Sequence, residues 1–352
     1  MSKKLVADKN FRIETKIQID GLKYYNATDD RFTINGVYYE NGAFYRIPDE
    51  LTEINNCVQE VAPCTSGGRV RFITDSPYIA IYVKIRDCTL NHIPNSPLTG
   101  TVGLDLYERK NGNQQYLGSF IPPADFSGEY ESVLQLGNRE KREYVINMPF
   151  FSGIYELYIG LDEKAAIDPP TAYAHSTPVV FYGSSITHGG CASRPGNTYP
   201  TILSRMLDTD YINLGFAGGA RGEDAIANYI AGLKMSCFVY DYDHNAPNCE
   251  HLQNTHEKMF QTIRKAQPSL PILILSRPKV HLTPDEKKRL SIIQTTYENA
   301  IQAGDKNVYF IPGPELIGED VIETATVDNV HPNDSGFLSM ALAVQKVLKP
   351  LL

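Results

Sequence analysis

The chain of 352 residues carries 33 basic and 41 acidic side chains, a formal net charge of -8, with 42% hydrophobic and 21% charged residues. This balance describes a globular protein long enough for two domains of roughly 150 residues each, and without a long basic run it offers nucleic acid no phosphate-neutralising surface. No stretch reaches the length of a membrane-spanning helix, and the early lysines of "MSKKLVADKNFRIETKI" have no apolar segment behind them, so neither a secretory signal nor membrane association is expected.

The six cysteines, Cys57, Cys64, Cys88, Cys191, Cys237 and Cys249, form no CxxC pair. They read as reduced, mostly structural thiols, and a cytoplasmic location is expected from them. From about Phe11 to Leu161 the chain is a series of short segments rich in Tyr, Ile, Val, Phe and Thr, among them "GVYYENGAFYRI", "RVRFITD", "YIAIYVKI", "VGLDLYER", "QQYLGSF" and "IYELYIGL". Asn41-Gly42 and Asn111-Gly112 stand between such segments and predict tight hairpin turns. Residues 1–161 are therefore expected to form an all-β sandwich of antiparallel strands. The stretch "DEKAAIDPPTAYAHSTP", residues 162–178, bears prolines without periodicity and reads as a linker.

After Pro178 the rhythm changes. The apolar runs "PVVFY", "YINLG", "SCFVYDY", "PILILS" and "NVYFI" alternate with the helical stretches "TYPTILSRMLD", "EDAIANYIAGL", "EHLQNTHEKMFQTIRKA" and "PDEKKRLSIIQTTYENAIQA". A last helix opens at "NDSG" and sets Phe337, Met340, Ala341, Val344, Val347 and Leu348 on one stripe. Residues 179–352 thus predict an α/β domain, doubly wound in the flavodoxin-like manner, with a parallel five-stranded sheet buried on both faces. Such sheets bind ligands at the carboxyl ends of their strands. Gly183, Ser184, Ser185 and His188 follow the first strand, and Gly215, Gly218 and Gly219 the second. Asp243, His244 and Asn245 follow the third, and Asp328 and His331 lie beyond the fifth.

A serine becomes a nucleophile when a base takes its proton and a carboxylate orients that base. "DNVHP" supplies both, since Asp328 precedes His331 by one turn and can fold back onto its ring. Glycine N–H groups and the Asn245 carboxamide can then serve a developing oxyanion. Singly, these residues read as turn serines, turn glycines, a turn asparagine and a helix-capping histidine. Together on four strand ends they favour serine-based acyl chemistry, with the choice between the two serines open. The elbow G-x-S-x-G does not fit, because Thr187 occupies its last position. A metal site built from Asp241, Asp243, His244 and His188 lacks a His pair at helical ligand spacing, so no metal or other cofactor is expected.

The segments "YGSSIT", "NLGFAG", "DYDHNA" and "DNVHPND" resemble, in order, the four blocks of the SGNH (GDSL-type) hydrolases. "HGGCASRPG" and the upstream "VGLDLY" resemble the two-domain branch, in which a β-sandwich with a Gly-x-Asp-Leu-Tyr motif precedes the catalytic domain. The resemblance implies Ser185 as nucleophile, His331 as base and Asp328 as its orienter. It implies an oxyanion hole from the Ser185 N–H, the Gly218 N–H and the Asn245 side chain. Ser184 stands where the family signature has aspartate, Asp243 where the third block has glycine, and Ala246 where that block ends in aspartate. The implied activity is that of a serine esterase removing a short acyl group, most plausibly acetyl, from a carbohydrate or related hydroxylated small molecule. An acyltransferase using the same acyl-enzyme and a non-catalytic carbohydrate-binding protein are the alternatives, and the complete triad speaks against the second. The expected partner is a small-molecule or oligosaccharide ester, contacted by His188, Arg194 and His244; oligomeric state is not legible.

Overall fold

A computed structural model describes residues 17–86 and 93–352, so Cys88 and residues 1–16 of the expected sandwich lie outside the described residues. The amino-terminal domain packs two antiparallel sheets face to face. One has the order Leu22–Asn26, Gly153–Asp162, Tyr78–Arg86, Glu129–Gln135. The other runs Ile167–Asp168, Arg69–Thr74, Arg142–Asn147, Leu104–Lys110, Asn113–Phe120, with Thr33–Asn35 also paired to Arg69–Thr74. Period-two alternation sets the inner face: Ile79, Ile81, Val83 and Ile85 point into the shared core with Val70, Phe72, Leu104, Leu106, Tyr144 and Ile146. The two Asn-Gly pairs make the predicted turns, with Asn41 at φ 48° and Asn111 at φ 52°. The domain also holds two short helices absent from the sequence reading, Asn56–Val61 and Leu98–Thr101.

The second domain is a parallel five-stranded sheet in the order Thr209–Gly215, His175–Gly183, Cys237–Asp241, Ile272–Leu275, Val308–Ile311. Its strands are apolar throughout because both faces are covered. Val180, Tyr182, Phe238, Tyr240, Ile272 and Ile274 meet helices Asp224–Ala231, Cys249–Ala266 and Pro284–Gln302 on one side. Val179, Phe181, Val239, Leu273 and Leu275 meet helices Tyr199–Leu207 and Asp334–Leu348 on the other. The stripe Phe337, Met340, Ala341, Val344, Leu348 lies buried there, with Val347 partly so. No helix among the described residues is long and apolar enough to cross a membrane.

Both faces of this core are completed by the sandwich. Ile47, Val58, Val61 and Ala62 join one cluster, and Phe150 and Phe151 join the other. Arg46, 2% exposed, donates to the carbonyls of Gly215 (2.6 Å), Asn213 (3.1 Å), Cys64 (2.7 Å) and Val61 (2.7 Å). Arg109 forks onto Asp208, with Nη2 2.8 Å from each carboxylate oxygen. The segment 162–178 is held as well: Ile167–Asp168 adds a short strand, the Thr74 hydroxyl donates to Ala166 O (2.7 Å), and the first strand of the parallel sheet begins at His175.

Candidate active site

The central strand ends at Gly183, and the chain turns at once into the one-turn helix Ser185–His188. Ser184 is its N-cap: fully buried, its Oγ accepts the Ile186 N–H at 3.2 Å. Ser185, at the first helical position, is partly exposed and places Oγ 2.9 Å from His331 Nε2. The geometry therefore gives the two adjacent serines different work, one to the backbone and one to the cleft. Beneath them the Thr187 hydroxyl donates to Asp241 Oδ1 (2.9 Å) and the Ser184 N–H to Asp241 O (3.1 Å). Burial pushes the Asp241 carboxyl up to about 8, against the lowering effect of the Thr187 hydroxyl. Gly215 passes under the same helix so closely that a Cβ there would lie 2.2 Å from His188 N. It is a spacer at this crossing.

The candidate base, His331, stands on the loop before the last helix. Asn333 caps that helix, accepting the N–H groups of Ser335 (3.0 Å) and Gly336 (3.2 Å) and donating to Thr324 O (2.6 Å). Asp328 uses both oxygens. Oδ1 accepts the N–H of Val330 (3.1 Å) and of His331 (2.7 Å), and Oδ2 accepts the His331 Nδ1–H at 2.7 Å. With the proton on Nδ1, the Nε2 lone pair faces the Ser185 hydroxyl. Burial acts to raise the Asp328 carboxyl, but the backbone and ring donors of His331 outweigh it and hold the group below the usual carboxylate range. Both partners face solvent in part, with side-chain exposures of 27% for His331 and 34% for Asp328.

Three donors are available for an oxyanion. The Ser185 N–H is at a helix start and has no intrahelical acceptor. Gly218, at φ 72°, sits in a turn whose Gly219 and Ala220 N–H groups return to Phe216 O (2.8 and 3.0 Å), leaving its own N–H without a protein acceptor among the described residues. Asn245 is fixed by its backbone, N–H to Tyr242 O at 3.0 Å, while its Oδ1 has no partner among the described residues. The carboxamide is not consumed by the fold.

Two of the expected substrate contacts are corrected. His188 is wholly buried, its Nε2 against Phe150 O and its ring 4.7 Å from that of Phe151; burial holds it uncharged, far below its usual range. Arg194 binds Asp105 (3.1 Å) and the Tyr107 hydroxyl. Those two residues belong to the Gly-x-Asp-Leu-Tyr motif, whose Asp105 also accepts the Gly196 N–H (2.7 Å) and the Asn147 carboxamide (2.7 Å). The motif is the sandwich's grip on loop 193–197, and both residues read as ligand contacts serve the domain interface. His244 is partly exposed; desolvation first, and the Arg277 guanidinium after it, hold the ring well below its usual range and uncharged. Asp243 lies against Arg277, with the Arg277 N–H 3.3 Å from Oδ2. Asp241, Asp243 and His188 thus turn to three different partners, Thr187, Arg277 and Phe150.

Sequence reasoning missed the contacts that come from the other domain. The Asn95 carboxamide donates to Asp328 Oδ2 at 3.1 Å. Asn55, the cap of helix Asn56–Val61, donates to Gly219 O (3.1 Å), and Arg221 bridges Gly218 O (3.2 Å) and Cys57 Sγ (3.7 Å) beside the candidate oxyanion turn. Asn55 ahead of "NCVQEV" is a capping signal; nothing in the local sequence marks Asn95.

The profile of the GDSL-like lipase/acylhydrolase family matches residues 176–349, and that of the GxDLY amino-terminal domain of SGNH-hydrolase-type esterases matches residues 22–167. A crystal structure named as a GDSL-like lipase, from Bacteroides ovatus, is 26% identical with a TM-score of 0.83, the match covering 94% of this chain and 98% of that one. A salicylyl-acyltransferase from a tetracycline biosynthetic pathway is 20% identical with a TM-score of 0.76, covering 95% and 98%. An acetyl xylan esterase of the rumen bacterium Butyrivibrio proteoclasticus is 14% identical with a TM-score of 0.57, covering 94% and 98%. The last two share the fold. No curated protein matches the chain.

Proposed function

The chain belongs to the GDSL-like (SGNH) lipase/acylhydrolase family, in the branch with a GxDLY amino-terminal domain, and from that premise we propose that it is a serine esterase. Its substrate is a short-chain O-ester, an acetyl ester in the first instance, on a carbohydrate or related hydroxylated small molecule. The observation that carries the reading is the relay of 2.9 Å from Ser185 Oγ to His331 Nε2 and 2.7 Å from His331 Nδ1 to Asp328 Oδ2.

In the first half-reaction Ser185 Oγ bonds to the ester carbonyl carbon as His331 Nε2 takes the hydroxyl proton, and Asp328 faces the imidazolium. The carbonyl oxygen becomes the oxyanion, met by the N–H groups of Ser185 and Gly218 and the Asn245 carboxamide. Collapse breaks the bond to the alkoxy oxygen, which leaves as alcohol with the proton held by His331. In the second half water adds to the acyl-enzyme with His331 again as base, and the acid departs as Ser185 recovers its proton. The carbohydrate part of the proposal is supported by the shared fold of the acetyl xylan esterase, and the acyltransferase in the same fold marks the competing outcome.

The test is product analysis with the purified protein, a small aryl acetate and a panel of acetylated sugars. Free acetate should be the main product even with sugar acceptors present. Acetylated acceptor as the main product in water would replace hydrolysis by transfer, and no release from any acyl ester would end the esterase reading.

A further inference from the structure

We propose that Asn95 of the sandwich domain is a positioning residue for the candidate triad, its carboxamide N–H holding Asp328 Oδ2 in place against the His331 ring; the proposal rests on the serine-esterase reading. Oδ2 accepts from two donors, His331 Nδ1 at 2.7 Å and Asn95 Nδ2 at 3.1 Å, while Oδ1 is taken by the two backbone N–H groups of its own loop. Three of these four donors belong to the loop that carries Asp328. Asn95 is the donor, among the described residues, that ties the carboxylate to something outside that loop.

That outside support matters because little packs around the carboxylate. The neighbouring Val327 and Val330 are 46% and 36% exposed, so hydrogen bonds rather than apolar contacts fix the orientation of Asp328. The segment bearing Asn95 is itself anchored on the catalytic domain. Ile93 packs against the core cluster containing Phe337 and Ile186, the Ser96 N–H returns to Ile93 O (3.1 Å), and the Thr99 hydroxyl donates to Ser193 O (2.6 Å). An orienting group delivered by an anchored segment can hold a functional side chain in its working rotamer, as outer-sphere partners do elsewhere. The sandwich then completes the triad in addition to covering the core.

The donor also has an electrostatic consequence with a definite sign. A hydrogen bond to Oδ2 draws charge from the oxygen that faces the imidazolium. Removing it leaves a more strongly charged partner, which favours the protonated ring, so activity should be lost at higher pH on acidification. Among the described residues, the other titratable groups that feel the pair are His244, held neutral, and Cys191, whose thiol is pushed up to about 12 by burial and by Asp328. Neither changes charge where the acid limb of the rate profile falls.

The experiment compares the full-length parent with Asn95→Ala and the isosteric Asn95→Asp, using the pH profile of kcat/KM on an aryl acetate and the Tm, with Ser185→Ala alongside. Expected for Asn95→Ala are a kcat about tenfold lower, in the range that loss of an outer-sphere partner costs, an almost unchanged KM, and an acid limb moved to higher pH. Asn95→Asp, which adds a like charge beside Asp328, should move that limb further. Parent-like rates and limbs in both variants would overturn the proposal. So would a loss of kcat that tracks a fall in Tm while the limb stays in place, because that is a merely structural role. If Ser185→Ala keeps its activity, the esterase reading and this inference fall together; if Ser185→Ala is inactive and the Asn95 variants behave as the parent, the inference alone falls.

Discussion

The two halves of the candidate triad are held by different physics. Around the nucleophile, Ser184, Thr187 and Asp241 are 0%, 0% and 3% exposed, and a glycine is needed beneath the helix to let it approach the sheet. Around the base, His331 and Asp328 stand in a solvent-facing loop and are fixed by a cap, a turn and hydrogen bonds to one carboxylate. Ser185 is thus placed by close packing, which is inseparable from the fold. His331 is placed by directed polar contacts. A similar chemical change should appear as lost rate on one side and lost stability on the other.

Asp328→Asn probes the polar half with the largest expected effect. It keeps the shape but offers a donor where the ring proton must be accepted, so kcat should fall on the order of ten-thousandfold with little change in Tm. A collapse in Tm would show that this loop is packed into the fold after all. Asp241→Asn probes the packed half through pH. The folded-state value is raised to about 8 from an ordinary carboxylate near 4, so between those values the folded chain holds a proton that the unfolded chain has released. Stability from this group is therefore full below about pH 4 and declines as the pH rises toward 8. The variant lacks that slope, and its Tm should gain on the parent's across this window; parallel Tm curves would contradict the buried, protonated carboxyl. The smallest effect belongs to Ser184→Ala, which removes a helix cap worth about 1 kcal/mol and should leave most of the esterase activity. A loss of activity matching that of Ser185→Ala would erase the distinction between the two serines.

Much of this arrangement was legible in the sequence because Ser185, Gly218 and Asn245 lie within a few residues of strand ends. Continuous apolar runs reported a sheet covered on both faces, and Asp328 three residues before His331 reported a carboxylate able to fold back onto its own ring. Strands such as Glu129–Gln135 were not legible, since "EYESVLQ" mixes charged and polar residues on a strand at the sheet's edge. Neither were the contacts made by docking one domain on the other. His188 and Arg194 sit beside the serine block and look like ligand contacts until Phe150, Phe151 and Asp105 arrive from the sandwich to cover them. Asn95 reaches Asp328 from a position 233 residues earlier in the chain. Such a pairing depends on tertiary docking, for which local propensity and spacing carry no signal.

The measurement that bears most directly on the account is the site of covalent modification by a serine-directed organophosphonate, located by peptide mass spectrometry on the full-length protein. The account predicts a single adduct on Ser185, formed in step with the loss of esterase activity and absent from Ser185→Ala. An adduct on Ser184, or full inactivation without modification of Ser185, would contradict it.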